Sequence, residues 1–376
     1  MLKLLKAVSI FVGTVIGAGI FGVPYIINKS GVATGFFYFL ALGGIVLLIH
    51  LFFGEVVLRT KEQCRLPGLA QKYLGSWGKS LVMISVVSGL VGALLAYLIL
   101  TGDFLKILLS QYINLSSFQF AVIFWFIISY FIFRGIKIIA SIELITNIVF
   151  FVTSGAILFF CLPKFSLQNL TVFNFSNAFL PFGVILFSLI GWSAIPETID
   201  FLKTPKEKQR IKKIMILATA VVVPFYLIFT VAVLGVVGKD ISQDTLSSLA
   251  PFLGSKIVLL AVLAALVTLA DSILVLGLHL KNTFIYDLKI PNHLATVVAC
   301  GLPLLLFFIG FRDFIGTLGF VGTVVGVIEG IAIIFIFKRA KKTGNREPEY
   351  SLNVPTTVLY LLMVVLILGA VSQFLI

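Results

Sequence analysis

Long, nearly uncharged apolar runs recur along this sequence, and each is close to the roughly 20 residues a helix needs to cross a bilayer. One of them, LVMISVVSGLVGALLAYLIL (81–100), contains no charge at all. Hydrocarbon offers no water to backbone N–H and C=O groups, so such a run must satisfy them internally, as a helix. Composition removes the water-soluble alternative. The 376 residues are 60% hydrophobic and 11% charged, with a mean hydropathy of +1.16. A soluble domain carries about 25% charged residues. The 28 Lys and Arg and 15 Asp and Glu available here cannot coat a globule of this size.

On this criterion eleven spans are expected, at about 6–28, 33–58, 80–109, 118–134, 139–162, 177–200, 213–237, 252–280, 293–310, 313–337 and 354–375. The linkers at 59–79, 203–213, 281–293 and 338–350 are polar or charged. The pattern predicts one all-α polytopic membrane domain over 1–376, with no soluble domain. The N-terminal MLKLLK has the positive start of a signal peptide, but no A-x-A-like cleavage site follows, so it reads as part of the first span.

The net charge of +13 comes from short basic clusters between apolar runs, not from one stripe. That distribution suits loops facing an anionic leaflet and argues against a nucleic acid partner. With the N-terminus inside, 22 of the 28 Lys and Arg fall on the inner side, Arg134 and Lys137 among them. Lys29, Lys106, Lys164, Lys239, Lys256 and Arg312 remain outside. The positive-inside bias then gives a cytoplasmic N-terminus and, for an odd count, an external C-terminus in a cell membrane. Cys64, Cys161 and Cys300 lie far apart, with neither metal-ligand spacing nor a disulfide framework, so no bound cofactor is implied.

Two spans are interrupted. The first holds GTVIGAGIFGVP (13–24) and the sixth FGVILFSLIGWSAIPE (182–197), each with glycines and a proline. They lie five spans apart, and an odd repeat length makes the second copy enter from the opposite face. This predicts an inverted repeat: one half over about 6–162, the other over about 177–337, and an additional C-terminal helix at about 354–375. Matching interrupted helices mark a midplane binding site. Unwinding at Gly17-Ala18-Gly19 frees backbone N–H groups for a carboxylate, with Thr14 one turn away. The stretch Phe187–Ser193, including Ser188, Gly191 and Trp192, frees carbonyls for an ammonium group and supplies apolar walls. Together these groups suit an amino acid zwitterion. Helix packing through small residues is the competing reading, since Gly13 and Gly17 form a GxxxG pair. The string GAGIFG (17–22) also fits the dinucleotide pattern GxGxxG, but it follows no strand, and 36–50 contains no acid.

The first motif resembles the GxxIGxGIF core of the amino acid–polyamine–organocation superfamily. The sixth-span segment is similar to that of its amino acid/auxin and aromatic amino acid permease branches. The resemblance implies a LeuT-type fold, with helices 1 and 6 discontinuous, and ion-coupled amino acid symport. It matches Gly17, Ala18 and Gly19 to a carboxylate-binding turn and Phe187–Trp192 to the unwound sixth helix.

Ionisable residues inside a span are functional candidates. Glu55, Asp103, Lys106, Glu143, Glu197 and Asp200 lie near helix ends, where snorkelling or capping accounts for them. Asp271 and Glu329 sit well inside. Thr268, Asp271 and Ser272 share one helix face at i, i+3 and i+4. That spacing resembles the sodium site of LeuT-type carriers, which implies carbonyl ligands at Gly13 and Ile16. A carboxylate where the family has a hydroxyl leaves H⁺ and Na⁺ both open. Glu329 and His50 are candidates for a proton relay, Tyr97 can face the site from span three, and His279 reads as interfacial. Phe187, Trp192 and Tyr97 suit a large neutral or aromatic side chain. Two functions remain: a transporter working by alternating access, or an amino-acid-sensing receptor of the same fold, like spore germinant receptors. An enzyme would need converging acids, a nucleophile–base pair or metal ligands, and the three His and scattered Cys offer none. Oligomeric state has no sequence signal.

Overall fold

The structure, a computed structural model, describes residues 2–135 and 140–373; Lys137 and the Glu143 side chain, both counted above, lie outside the described residues. The first span is a pair of helices, α1 (Leu2–Val15) and α2 (Gly19–Ser30), bent by 52°. Next come α3 (Val32–Leu58), α4 (Leu66–Leu109), α5 (Ser117–Arg134) and α6 (Ala140–Cys161). The sixth span is again divided, into α7 (Pro181–Leu189) and α8 (Ala194–Phe201). One turn, α9 (Pro205–Lys208), precedes α10 (Ile211–Val237), and short α11 (Leu246–Leu253) precedes α12 (Ser255–Tyr286). The chain continues through α13 (Asn292–Phe308), α14 (Phe314–Phe320), α15 (Val327–Thr343) and α16 (Thr356–Ser372). A π-helical turn, Val321–Gly326, joins α14 to α15 in one span. No strand occurs among the described residues.

Eight of these segments are long and apolar enough to cross a membrane, nine with the α1–α2 pair. Helices α13 and α16, of 17 residues each, are shorter. The expected eleven includes both of them.

Three boundaries depart from expectation. Helix α4 begins at Leu66 rather than near 80: Pro67 opens it, and only Gly75, at φ +82°, interrupts it. Leu66, Leu69, Ala70 and Tyr73 bury themselves against the bundle, so half of the expected 59–79 linker is packed helix. Helices α12 and α15 run about six residues past their expected ends, because the Lys- and Arg-containing tails form helix readily and reach into water. Apolar side chains such as Phe126, Ile127 and Phe159 line the outer surface, a lipid-facing belt that water would not tolerate.

At the basic end, Glu55 is fully buried near the end of α3. Its carboxylate takes Arg59 at 2.7 Å, the Leu352 amide at 2.6 Å and Lys341 at 3.5 Å. Instead of capping or snorkelling, it fastens the segment before α16 to α3. In the interior, α7 and the π-turn touch backbone to backbone: a Cβ on Gly322 would meet the Gly183 carbonyl and the Phe187 amide. Only glycine permits that approach. Gly322→Val is therefore expected to lower stability by roughly 1–3 kcal/mol, the usual size of an overpacking penalty. Thermal unfolding of the detergent-purified protein would read this as a drop of several degrees, whereas Gly319→Val, where a Cβ meets open space, should change little.

Candidate functional site

Both breaks fall in the buried middle of the bundle. In the first, Ile16 N–H still reaches the Val12 carbonyl at 2.8 Å. The Gly17, Ala18 and Gly19 amides have no backbone acceptor among the described residues. Helix α2 restarts with Ile20 donating to Gly17 at 3.4 Å and Phe21 to Ala18 at 3.1 Å. The positive end of α2 therefore opens inside the protein. Neighbours fill the space a side chain would need: a Cβ on Gly17 would meet the Tyr97 hydroxyl, and one on Gly19 the Ser188 hydroxyl. The Tyr97 hydroxyl thereby joins α4 to the first break.

In the second break, Ile190 N–H bonds the Leu186 carbonyl at 3.1 Å and α8 resumes with Ala194 donating to Gly191 at 3.1 Å. The Ser188, Leu189 and Ile190 carbonyls accept no backbone N–H among the described residues. The Gly191 amide instead donates to His50 Nε2 at 3.1 Å. An accepting Nε2 places the imidazole proton on Nδ1, which has no partner among the described residues. Trp192 donates its indole N–H to Glu329 Oε2 at 2.5 Å. The Trp192 ring stands 6.1 Å from His50. Trp192 thus neighbours both His50 and Glu329, and its indole has a single donor and no acceptor. His50 holds the second break in place.

The breaks flank a cavity of about 130 Å³. Of the expected residues, Thr14, Gly17, Tyr97, Phe187, Trp192 and Glu329 line it. Ala18, Gly19, Ser188 and Gly191 stand behind that wall, and Ser188 and Thr14 return their hydroxyls to Val184 and Ile10 at 2.7 and 2.9 Å. Among the described residues no Lys, Arg or His comes within 4.0 Å of Glu329.

The ion-site candidates lie on α12. Asp271 Oδ2 accepts from Thr146 at 3.1 Å, whereas its buried Oδ1 has no partner among the described residues. Thr268 bonds back to the Ala264 carbonyl at 3.1 Å. Gly13 lies under Asn147, whose amide donates to the Ser9 carbonyl and hydroxyl at 3.0 and 2.8 Å. The pair Thr146 and Asn147 on α6 was signalled only as adjacent polar residues in an apolar run.

The cavity opens toward the basic end through a vestibule of about 700 Å³, with Arg65, Pro196 and His279 in both walls. His279 thus lines the route and does not mark a lipid interface. Glu197 and Asp200 face the same vestibule and pair loosely with Arg65, at 3.9 and 3.6 Å. Such half-exposed pairs contribute little stability and open readily. At the rim, Lys72 and Asn345 hold the Glu62 carboxyl down to about 2, while burial pushes Asp287 up.

Two helices broken at the centre of one bundle, flanking a small cavity with an open route to one end, define a LeuT-type secondary transporter. The crystal structure of MhsT in complex with L-phenylalanine shares this fold: TM-score 0.73, covering 99% of this chain and 98% of that one, at 14% identity. The tryptophan/tyrosine permease family model matches residues 1–373, and the chain belongs to that family. Glutamine transporter 2 of Aliivibrio fischeri is 24% identical over 94% of this chain and 93% of its own length. Tyrosine-specific transport system 2 of Haemophilus influenzae is 26% identical over 63% of this chain and 59% of its own. The protein is a multi-pass membrane amino acid transporter and not an enzyme.

The contact between Gly17 and Tyr97 predicts a second-site rescue. Gly17→Ala should destabilise the protein by about 1–3 kcal/mol through overpacking. Adding Tyr97→Phe, which removes the clashing oxygen, should recover about half of the lost melting temperature. Additive losses in the double variant would contradict the geometry.

Proposed function

We propose that the protein is an ion-coupled symporter that carries a large neutral amino acid inward across the cell membrane by alternating access. The observation that carries this reading is the pairing of amides at 17–19 with carbonyls at 188–190, all without a backbone partner among the described residues, with Gly17 and Ile190 lining one cavity. Backbone N–H groups at a helix N-terminus suit a carboxylate, and carbonyls suit an ammonium, without any charged side chain. Mostly apolar walls, among them Leu90, Phe187 and Ile190, favour an uncharged side chain. The names of the relatives, a glutamine and a tyrosine carrier, and the phenylalanine bound to MhsT point the same way.

Coupling is assigned to the α12 face. Asp271 carries a buried oxygen without a partner among the described residues, and Thr268 and Ser272 stand at i and i+4 on one face of the same helix. A cation or a proton on Asp271 would relieve that oxygen and favour one arrangement of α12 against α1 and α6. The Thr268 hydroxyl and the Gly13 and Ile16 carbonyls are the further ligands this assignment needs for Na⁺. The two 17-residue helices complete eleven spans, at the short end of spanning length. The basic end, into which the vestibule opens, then faces the cytoplasm, and the two halves form an inverted repeat.

Proteoliposomes containing the purified chain test this reading, with labelled amino acids and imposed proton and sodium gradients applied separately. Accumulation driven by one gradient is expected, with at least a tenfold loss in Asp271→Asn. Unchanged gradient dependence in that variant would remove Asp271 from coupling. Binding without accumulation under either gradient would make the protein a sensor.

A further inference from the structure

Glu329 is 7% exposed, lies on α15 in the first turn after the π-helix, and lines the cavity. Its Oε2 is taken by Trp192 at 2.5 Å. Its Oε1 carries no hydrogen bond among the described residues, and it lies 3.9 Å from where a Cβ on Gly89 would stand. Gly89 is itself a cavity residue, and Val86, Val321 and Val325 form the apolar wall beside it. An acceptor oxygen turned toward an apolar wall is unfavourable until a donor fills the space.

The position of this oxygen separates it from the end of the site that would hold the main chain of an amino acid. Tyr97 and Ser188 meet Gly17 and Gly19 at the first break. Glu329 faces Gly89, eight residues from Tyr97 on the same helix, or about 12 Å along its axis. A hydrogen bond at each end accounts for about 3 Å. The remaining distance suits a long side chain and is beyond one the size of alanine or serine.

The geometry points to Glu329 as the residue that reads the substrate side chain: Oε1 and the part of the cavity beside Gly89 form a subsite for a neutral amino acid whose long side chain ends in an N–H or O–H donor. This inference rests on the cavity being the amino acid site proposed above. Trp192 fixes the carboxylate through Oε2, so that Oε1 is presented at a set angle instead of swinging toward the vestibule. A site built to bond a donor strongly rejects an analogue that lacks it, because its own polar group is then left bare.

The test is binding to the purified full chain, read by thermal shift and by competition against uptake. Four ligands are compared: tyrosine against phenylalanine, and tryptophan against 1-methyltryptophan, which has no indole N–H. Each donor-bearing compound is expected to bind at least tenfold more tightly than its partner. Glu329→Leu should bring both ratios close to one, mainly by weakening tyrosine and tryptophan, and Glu329→Gln should do the same, because Trp192 takes its single amide oxygen and leaves an N–H donor at the Oε1 position. Wild-type ratios within twofold of unity would overturn the inference while leaving an amino acid site in place. An equal loss of all four ligands in Glu329→Leu would also overturn it, since the residue would then serve the main chain or only support Trp192. No binding of any ligand to the wild type would overturn the site itself and this inference with it.

Discussion

A backbone amide or carbonyl in hydrocarbon has no water to replace a missing helical partner, and each one left bare costs several kcal/mol. The rest of the structure is arranged around two places where this chain accepts that penalty. At 16–18 and 190–193 the helices stop and restart within the bundle, and their freed groups are enclosed by neighbouring helices. Part of the deficit is met locally. His50 takes the Gly191 amide and the Tyr97 hydroxyl packs against Gly17, so each break is held by a side chain from a continuous helix, α3 and α4 respectively. The groups still unmatched turn a packing defect into a recognition surface.

The same constraint accounts for the glycines. Gly17, Gly19, Gly183 and Gly322 are sites where another atom already crowds the position of a Cβ; at Gly322 that atom is backbone, and at Gly183 it is the Thr323 hydroxyl together with the Gly319 carbonyl. Lipid supplies no hydrophobic drive to bring helices together, so close approach of small residues has to hold them. Segments α7 and the π-turn therefore behave as one packed unit beside the second break. Helix α4, through Tyr97 and Gly89, forms a wall that spans the cavity from the first break to Glu329.

Much of this was legible in the sequence, because hydrocarbon leaves few alternatives. Apolar run lengths marked the helices, and glycine with proline inside a run marked both breaks, at 13–24 and 182–197. Thr14, Gly17, Tyr97, Phe187 and Trp192 do meet at one cavity. What the pattern hid was three-dimensional. Arg65 and His279 appeared to belong to a loop and an interface, because hydropathy reports depth along the membrane normal and not which face of a helix points inward. The packed segment at 66–74 reads as polar because Gln71 and Lys72 point outward while Leu66, Leu69 and Tyr73 point in. The Trp192–Glu329 bond joins residues 137 positions apart, and no local spacing encodes it.

The π-helical turn at Val321–Gly326 sets a condition on the history of the gene. One residue more or less in an α-helix rotates everything beyond it by about 100°. A π-turn is a single extra residue accommodated without loss of the helix. The side chain of Glu329 faces Trp192 only because that extra residue is present upstream. Elsewhere, in a surface loop, a single-codon deletion is among the mildest of events. Within this turn it would swing the carboxylate toward another helix or toward lipid, and relatives that share the pairing should hold the spacing from the π-turn to the acid invariant even where the side chains between them drift.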